Sequence, residues 1–282
     1  MPAKRTDLAL EAHSLYRAAQ GREPAGVDVE TSAEGDMAVT RITVRNRRGA
    51  RALMRPEGVY ITVALDPGWP ARPEAIRGAA ETLSGLLRPL VPEEGTVLVC
   101  GLGNRGITPD SLGPCAVAGI LVTRHIVGGE GGDLGLRPVC ALPTGVLGLT
   151  GIETAEVVRG VCGRVRPAAV IVIDALAALA TERLGCTFQL TGTGITPGSG
   201  AGNARRALNE EALGVPVIAL GMPTVIDLAA LMDGAPPVRD MLVTPKDIDA
   251  LIEKGAKVIA GAVNLALQPG LGYEELEGLV SP

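Results

Sequence analysis

Two aspartates each follow a predicted buried strand, and their positions suggest acid–base chemistry. Asp110 follows the aliphatic stretch Val97–Gly101 and a glycine-rich turn, and Asp174 directly follows the apolar run Ala169–Ile173. A carboxylate among apolar residues is poorly solvated unless it is paired, so we expect the pKa of Asp174 to be raised. Two such carboxylates can share a proton, so that one activates water while the other polarises a carbonyl group. The two aspartates therefore predict the catalytic pair of a peptidase.

Two of the acidic residues also have a structural interpretation. Asp110 stands in Thr108–Ser111, a good helix start, where an aspartate can cap the helix and meet its positive end. Glu153 begins the predicted helix Glu153–Val165, and we interpret it as a first-turn helix acid. Asp174 is harder to explain structurally, because apolar residues flank it on both sides.

Two glycine-rich segments suggest ligand loops. Gly101–Gly106 (GLGNRG) matches the G-x-G-x-x-G spacing of dinucleotide-binding turns. Ile107–Pro109 separates it from the next helix, and the carboxylate of Asp110 would repel a pyrophosphate, so we disfavour cofactor binding. Thr191–Arg206 could cradle a phosphate, act as a substrate-binding or oxyanion loop, or simply link a strand to a helix.

The sequence contains few residues that could bind a metal ion or act as a catalytic nucleophile with its base. The two histidines, His13 and His125, stand in no H-x-x-x-H spacing, and the chain has no C-x-x-C or G-x-S-x-G motif. A site in which only the carboxylates of Asp110 and Asp174 hold a divalent ion remains an alternative. We predict no resident metal or cofactor.

Composition predicts a globular protein with an aliphatic core. Of the 282 residues, 46% are hydrophobic but only 2% are aromatic, which favours buried parallel strands of Val, Leu, Ile and Ala. The net charge is −5, and the local basic spot Arg45–Arg51 is interpreted as a solvated hairpin, so no nucleic-acid partner is expected.

The chain carries no sign of a membrane or secreted context. No run of about 18 apolar residues occurs, so no membrane span is predicted. The basic and polar N-terminus lacks the apolar core of a signal peptide. The five cysteines are scattered and odd in number, which predicts reduced thiols in the cytoplasm.

The hydrophobic pattern predicts two regions. Residues 26–66 alternate as strands, with Arg47–Gly49 as a hairpin turn, and a helix follows over Arg72–Leu90. Beyond it strands and helices alternate. The predicted strands are Thr96–Gly101, Pro138–Leu142, Ala168–Ile173, Cys186–Leu190 and Val215–Leu220. The predicted helices are Ser111–Val127, Glu153–Val165, part of Asp174–Leu184, Val225–Met232 and Thr244–Leu267.

This alternation predicts an α/β fold, a three-layer α/β/α arrangement with a mainly parallel sheet plus the N-terminal β-rich segment. Active sites of such sheets lie at the carboxyl ends of the strands. We therefore expect Asp110 and Asp174 at one edge, close together if their strands are neighbours.

Several stretches, in order along nearly the whole chain, resemble the germination protease family of spore-forming bacteria. They are RTDLALEA (Arg5–Ala12), GLGN (Gly101–Asn104), TPDSLGP (Thr108–Pro114), LVTRH (Leu121–His125), GLTGIET (Gly148–Thr154), IDALAA (Ile173–Ala178), GITPGSGAGN (Gly194–Asn203), GVPVIALGMPTVID (Gly214–Asp227) and LVTPKDID (Leu242–Asp249).

The resemblance implies an atypical aspartic endopeptidase, related in fold to the hydrogenase maturation proteases, that degrades small acid-soluble spore proteins. Its catalytic aspartates would be Asp110 and Asp174. It further implies a homotetramer, made in the cytoplasm of the developing spore as a self-processing zymogen. The bond cut would be Asp7–Leu8, which divides the chain into a prosegment, 1–7, and a single peptidase domain, 8–282.

The family's preference for an acidic residue before the cut implies a basic group in the pocket. Arg124, Arg205 and Arg206 are the candidates, with Glu153 as a further substrate-binding residue. Two features depart from the family pattern: Lys4 stands where an acid is preferred, and only Leu228–Met241 replaces a long insert.

Two other functions stay open at this point. One is a metal-dependent, nickel-sensing maturation protease of the related fold, in which the carboxylates bind the ion. The other is a non-enzymatic nucleotide-binding module built on the two glycine loops.

Overall fold

The computed structural model describes residues 6–127, 135–200, 202, 205–231 and 241–280. The strands are β1 Val27–Glu34, β2 Met37–Val44, β3 Gly58–Ala64, β4 Val97–Leu102, β5 Val139–Gly145, β6 Ala169–Ala178, β7 Thr187–Thr191, β8 Val217–Asp227 and β9 Leu242–Val243. The α-helices are α1 Ala9–Gln20, α2 Arg47–Leu53, α3 Pro73–Leu87, α4 Leu112–Ala118, α5 Leu147–Thr150, α6 Thr154–Val165, α7 Glu210–Leu213, α8 Leu228–Leu231, α9 Ile248–Leu267 and α10 Tyr273–Val280.

The strands form one mixed sheet in the order β1-β2-β3-β7-β8-β6-β4-β5, with β9 pairing β8. Its centre is parallel, because β4 pairs with β5 and β6, and β6 pairs with β8. The antiparallel strands β1, β2 and β3 continue the sheet through β7. The β-rich segment 26–66 is thus part of the same sheet as the parallel centre.

Helices cover both faces of this sheet, as the apolar pattern predicts. Along β6, Ile171 and Ile173 face the cluster that includes α3, α4 and α9, whereas Val170 and Val172 face the cluster that includes α6. Helices α1 and α2 pack on the second face, against β2 and β3. The predicted three-layer α/β/α class is confirmed. Among the described residues, no helix is both long and apolar enough to span a bilayer.

Three kinds of local prediction are wrong for identifiable reasons. Arg47–Gly49 is not a hairpin turn but the start of α2, because the side chain of Asn46 accepts hydrogen bonds from the N–H groups of Arg48 and Gly49. The predicted helix within Asp174–Leu184 is instead the second half of β6, which pairs with β8 as far as Ala178. Cross-strand pairing therefore overrides the high helix propensity of Ala and Leu.

The third error concerns helix ends. The predicted helix Ser111–Val127 is too long, because α4 ends at Ala118. The side-chain amide of Asn264 on α9 holds the chain that follows, since it donates to the carbonyl oxygen of Gly119 and accepts from the N–H of Leu121. Similarly, Val225 to Asp227 belongs to β8, and only the short α8 follows. The remainder of the short connection, 232–240, lies outside the described residues.

Helix α4 packs so closely against β4 and β6 that only a glycine fits at the contact. A Cβ atom built on Gly113 would lie 2.3 Å from the carbonyl oxygen of Leu102 and 2.6 Å from that of Ile173. No methyl group fits between backbones at that separation. Gly113 therefore lets α4 pack directly against the end of β4 and the middle of β6.

We predict opposite effects for alanine at two helical glycines. Gly113→Ala should lower the free energy of unfolding by about 2–3 kcal/mol, because a methyl group must displace α4 from the strands. Gly160→Ala, at an exposed position of α6 with nothing within 4 Å of the new Cβ, should raise it by about 0.5–1 kcal/mol. Urea unfolding followed by the fluorescence of Trp69, the single and fully buried tryptophan, measures both. Equal effects of the two substitutions would contradict the close approach of α4.

Candidate active site

Asp110 is held by the turn that follows β4. Gly103 has φ +110°, and a Cβ there would lie 2.0 Å from the carbonyl oxygen of Asp110. The next N–H, of Asn104, donates to both the carbonyl oxygen and Oδ2 of Asp110, each at 2.9 Å. The glycine motif thus shapes a turn that folds Asp110 back over the strand end.

The capping interpretation of Asp110 is wrong. Asp110 ends a short 3-10 helix, Thr108–Asp110, and the N-cap position of α4 is Ser111, which makes no side-chain cap bond. Burial raises the pKa of Asp110, and the hydrogen bond from Asn104 offsets part of that rise. Its carboxylate is therefore available to a ligand and partly desolvated.

Asp174 lies inside the fold, in the middle of β6, and is only 6% exposed. The N–H of Ala175 donates to its Oδ1 at 2.9 Å. Burial raises the pKa of Asp174 well above its usual range, and the negative charges of Asp110 and Asp7 raise it further. The rise predicted from the flanking apolar residues is confirmed, and the protonated form of Asp174 is favoured.

The two aspartates line one cavity of about 520 Å³. They meet there because β4 and β6 are neighbouring parallel strands. Gly101, near the carboxyl end of β4, pairs with Ile173, so the turn that follows β4 lies beside Asp174. A buried carboxyl group with a raised pKa beside a second carboxylate can hold one proton between them. The arrangement can therefore supply an acid and a base to one bound molecule.

The N-terminal segment enters the same cavity. Asp7 lines it, and the backbone N–H of Asp7 donates to the carbonyl oxygen of Ala177 on β6 at 2.9 Å. Helix α1 begins at Ala9 and its N-cap residue is Leu8, so neither Thr6 nor Asp7 caps the helix. The carboxylate of Glu11 instead accepts hydrogen bonds from the N–H groups just beyond β6 and from Thr6.

Of the other predicted site residues, two line the cavity and two lie elsewhere on the surface. Glu153 and Arg205 line the cavity with the aspartates. Arg206 pairs with Glu156 on the surface at 3.0 Å, and Arg124 is exposed on the loop after α4.

The histidines and metal-ligand groups lie elsewhere. His125 is exposed beside Arg124, and buried His13 contacts Glu23 at 2.8 Å. Within the described ranges, no three or more His, Cys, Asp or Glu side chains cluster as metal ligands would.

Two contacts of the N-terminal segment involve residues that sequence reasoning did not single out. The side-chain amide of Gln189 bonds the backbone of Asp7, and the hydroxyl of Ser199 bonds its carboxylate. Gln189 could have been noticed as the one amide in a buried strand, CTFQL. Ser199 belongs to the glycine-rich segment Thr191–Arg206, for which a substrate-binding role was one of three interpretations.

Comparison with known proteins points to one family. A family model described as germination protease matches residues 6–235. The germination protease of Clostridium perfringens strain SM101 is 39% identical over 320 aligned residues, covering 96% of this chain and 97% of that protein. The germination protease of Caldanaerobacter subterraneus is 40% identical and covers 98% of both. That of Bacillus cytotoxicus is 40% identical over 81% of this chain and 65% of its own length.

Among solved structures, the NiFe hydrogenase maturation protease HycI from Thermococcus kodakarensis aligns with a TM-score of 0.40 and 17% identity. The alignment covers 64% of this chain and 98% of HycI.

We predict that Asp174→Asn changes the pH dependence of stability. When a carboxyl group has a higher pKa in the folded state than in the unfolded chain, the free energy of unfolding of the protein falls as pH rises from the unfolded pKa to the folded pKa. The fall is about 1.4 kcal/mol per pH unit. The asparagine variant lacks this loss and can keep the bond from Ala175. Its melting temperature should therefore exceed that of the wild type increasingly as pH rises above about 4.

Asp36→Asn is the matched control, because it removes the same charge from a side chain that is 89% exposed. Thermal unfolding of chains with verified intact mass, from pH 4 to 8, gives the comparison. Parallel curves for wild type and Asp174→Asn would mean that Asp174 is solvated or paired with a cation.

Proposed function

The chain belongs to the germination protease family and is a peptidase, and on that premise we propose that Asp110 and Asp174 are its catalytic pair. The observation that carries the proposal is the meeting of two carboxyl groups with raised pKa in one cavity, beside the carboxyl end of β4 and the middle of β6. Perturbed carboxyl groups that converge in a cleft are the usual arrangement for acid–base catalysis.

The surroundings of the two residues support different roles. Asp174 is the more deeply buried and its pKa is raised the more, so it would hold the proton and donate it to the carbonyl oxygen of the scissile bond. Asp110 accepts a hydrogen bond from Asn104, which favours its ionised form, so it would take a proton from water.

The reaction then balances in two steps. In the first, the hydroxide formed from water bonds to the carbonyl carbon as Asp174 gives its proton to the oxygen. In the second, Asp110 passes the proton it took from water to the leaving nitrogen as the C–N bond breaks. Asp174 takes back a proton as the tetrahedral carbon becomes the carboxyl product, and the pair is restored.

We further propose that the chain is made as a zymogen that cuts its own Asp7–Leu8 bond. The presence of Asp7 in the cavity of the aspartates supports this, because the bond to be cut then lies near the proposed catalytic pair. Prosegment 1–7 would keep the cavity filled until the cut, and domain 8–282 would be the mature peptidase.

The family also suggests the biological setting. We propose that small acid-soluble spore proteins are the substrates, that the active form is a homotetramer, and that it acts in the cytoplasm of the developing and germinating spore. Of the three arginines considered, Arg205 lines the cavity, where it would contribute positive charge near a bound substrate.

We predict that the purified full chain loses residues 1–7 and that Asp110→Asn and Asp174→Asn do not. Intact mass and N-terminal sequencing, at mildly acidic and neutral pH, measure the loss. Removing either member of an acid–base pair should slow the reaction by at least about 100-fold. Asp36→Asn is the control for one lost negative charge and should process normally.

Processing should continue in a chelator, since water is activated by carboxylate alone. Arrest by chelator would favour the metal-dependent alternative. Normal processing of both aspartate variants would show that the carboxylates are structural and that the catalytic groups lie elsewhere.

A further inference from the structure

The segment around the proposed cut is hydrogen-bonded to the last residues of β6. The backbone N–H of Asp7 donates to the carbonyl oxygen of Ala177 at 2.9 Å. Backbone hydrogen bonds to a strand are a common way for proteins to bind peptides. The groups that contact Asp7 and Leu8 therefore have the positions of substrate subsites.

The side chain of Asp7 fills a small polar pocket. The N–H of Ala177 donates to Oδ2 at 2.9 Å, and the hydroxyl of Ser199 donates to Oδ1 at 2.8 Å. A Cβ atom on Gly200 would lie 2.2 Å from Oδ2, so only glycine leaves room for the carboxylate. Two hydrogen-bond donors, one for each oxygen, recognise a carboxylate specifically.

The side-chain amide of Gln189 forms hydrogen bonds on both sides of the proposed cut, Asp7–Leu8. Its Nε2 donates to the carbonyl oxygen of Asp7 at 2.8 Å, and its Oε1 accepts from the N–H of Ala9 at 2.7 Å. Gln189 is only 7% exposed, so these bonds are shielded from water. One side chain thus fixes the peptide on both sides of Leu8.

Sheet register links Gln189 to the catalytic pair. Gln189 on β7 pairs with Gly221 on β8, and Gly221 pairs with Asp174 on β6. Directly paired residues point to the same face of a sheet, so Gln189 and Asp174 flank a glycine that has no side chain. A Cβ atom on Gly221 would lie 2.8 Å from Cγ of Leu176, so the space above this glycine holds the Leu176 side chain, which also packs against Leu8.

The residue after the bond has an apolar pocket. Leu8 is fully buried against Leu176 and Ala178, with Leu184 and Ile195 at the edge. A polar pocket before the bond and an apolar one after it match the order Asp7-Leu8.

We propose that Ser199 and the Ala177 N–H form the subsite that recognises the acidic residue before the cut, and that Gln189 is the residue that positions the scissile bond. The ligand class is a peptide with a carboxylate side chain followed by an aliphatic one. The inference rests on the proposed cut at Asp7–Leu8. It assigns acid recognition to neutral donors, in contrast to the basic group expected from the family's preference.

A double-mutant cycle between Ser199 and Asp7 tests the subsite. Ser199→Ala should slow self-processing about 10-fold or more in the chain with Asp7, because a hydrogen bond to a charged group is lost. In the Asp7→Ala chain the same substitution should change the rate less than about 2-fold, since no carboxylate remains to be recognised. Ser14→Ala, which removes an exposed hydroxyl of α1, is the matched control and should leave both rates unchanged.

The same cycle can be measured without catalysis. In the Asp174→Asn background, which should not process, Ser199→Ala should lower the melting temperature by about 2–4 °C more when Asp7 is present than when the chain also carries Asp7→Ala. Additive effects in both cycles, in a wild type that processes, would overturn the subsite and leave the peptidase standing. A wild type that never cuts Asp7–Leu8, with coupling only in stability, would overturn the proposed cut and the subsite with it.

A pH profile tests Gln189. Gln189→Glu keeps the shape but replaces the N–H donor by an ionised oxygen, so processing at neutral pH should fall about 100-fold. As pH falls, the carboxyl group gains a proton and can donate again, so the ratio of variant to wild-type rate should rise. Gln189→Leu should give a ratio that does not change with pH. A flat ratio for Gln189→Glu would overturn the positioning role.

Discussion

The proposed active site depends on keeping two carboxyl groups close together among buried apolar residues. Asp174 lies within β6, surrounded by strands that are buried on both faces, and Asp110 is folded back beside it. The free-energy cost of ionising Asp174 there is the source of its raised pKa. A surface carboxylate pair would be solvated and screened by salt, so the pKa values of its two carboxyl groups would not be raised by burial.

Backbone packing around the strand ends maintains this pair. Gly103 and Gly113 each stand where a side chain would collide with a carbonyl oxygen, one in the turn to Asp110 and the other at the seat of α4. Together they allow the turn and α4 to contact the end of β4 and the middle of β6. Glycines that resemble a nucleotide fingerprint in sequence therefore serve close packing and the placement of a carboxylate.

The N-terminal segment is part of the fold as well as its proposed first substrate. Leu8 and Ala9 are fully buried, and Glu11 satisfies the two N–H groups beyond the end of β6. Cutting at Asp7–Leu8 would thus remove Asp7 from its polar pocket while α1 stays packed against β2 and α2. The retained helix would keep the emptied polar pocket in shape for the acidic residue of a second peptide.

The sequence alone determined what is encoded by local pattern. Aliphatic runs ending in polar residues predict the parallel strands β4 and β6, and the apolar run around Asp174 predicts its raised pKa, because burial of a strand can be read from its composition. The motifs from Arg5 to Asp249 predict the family because their order spans nearly the whole chain.

Only the tertiary structure decided how distant parts meet. That β4 neighbours β6 places Asp110 beside Asp174, and the antiparallel insertion of β7 beside β8 brings Gln189 to the same face. The bond from Gln189 to Asp7 joins residues 182 positions apart, and no local pattern encodes such a contact. Propensity failed for the same reason in the second half of β6, where pairing with β8 outweighs the helical preference of Ala175 to Ala178. Long-range strand pairing, which depends on the whole chain, therefore decided the site.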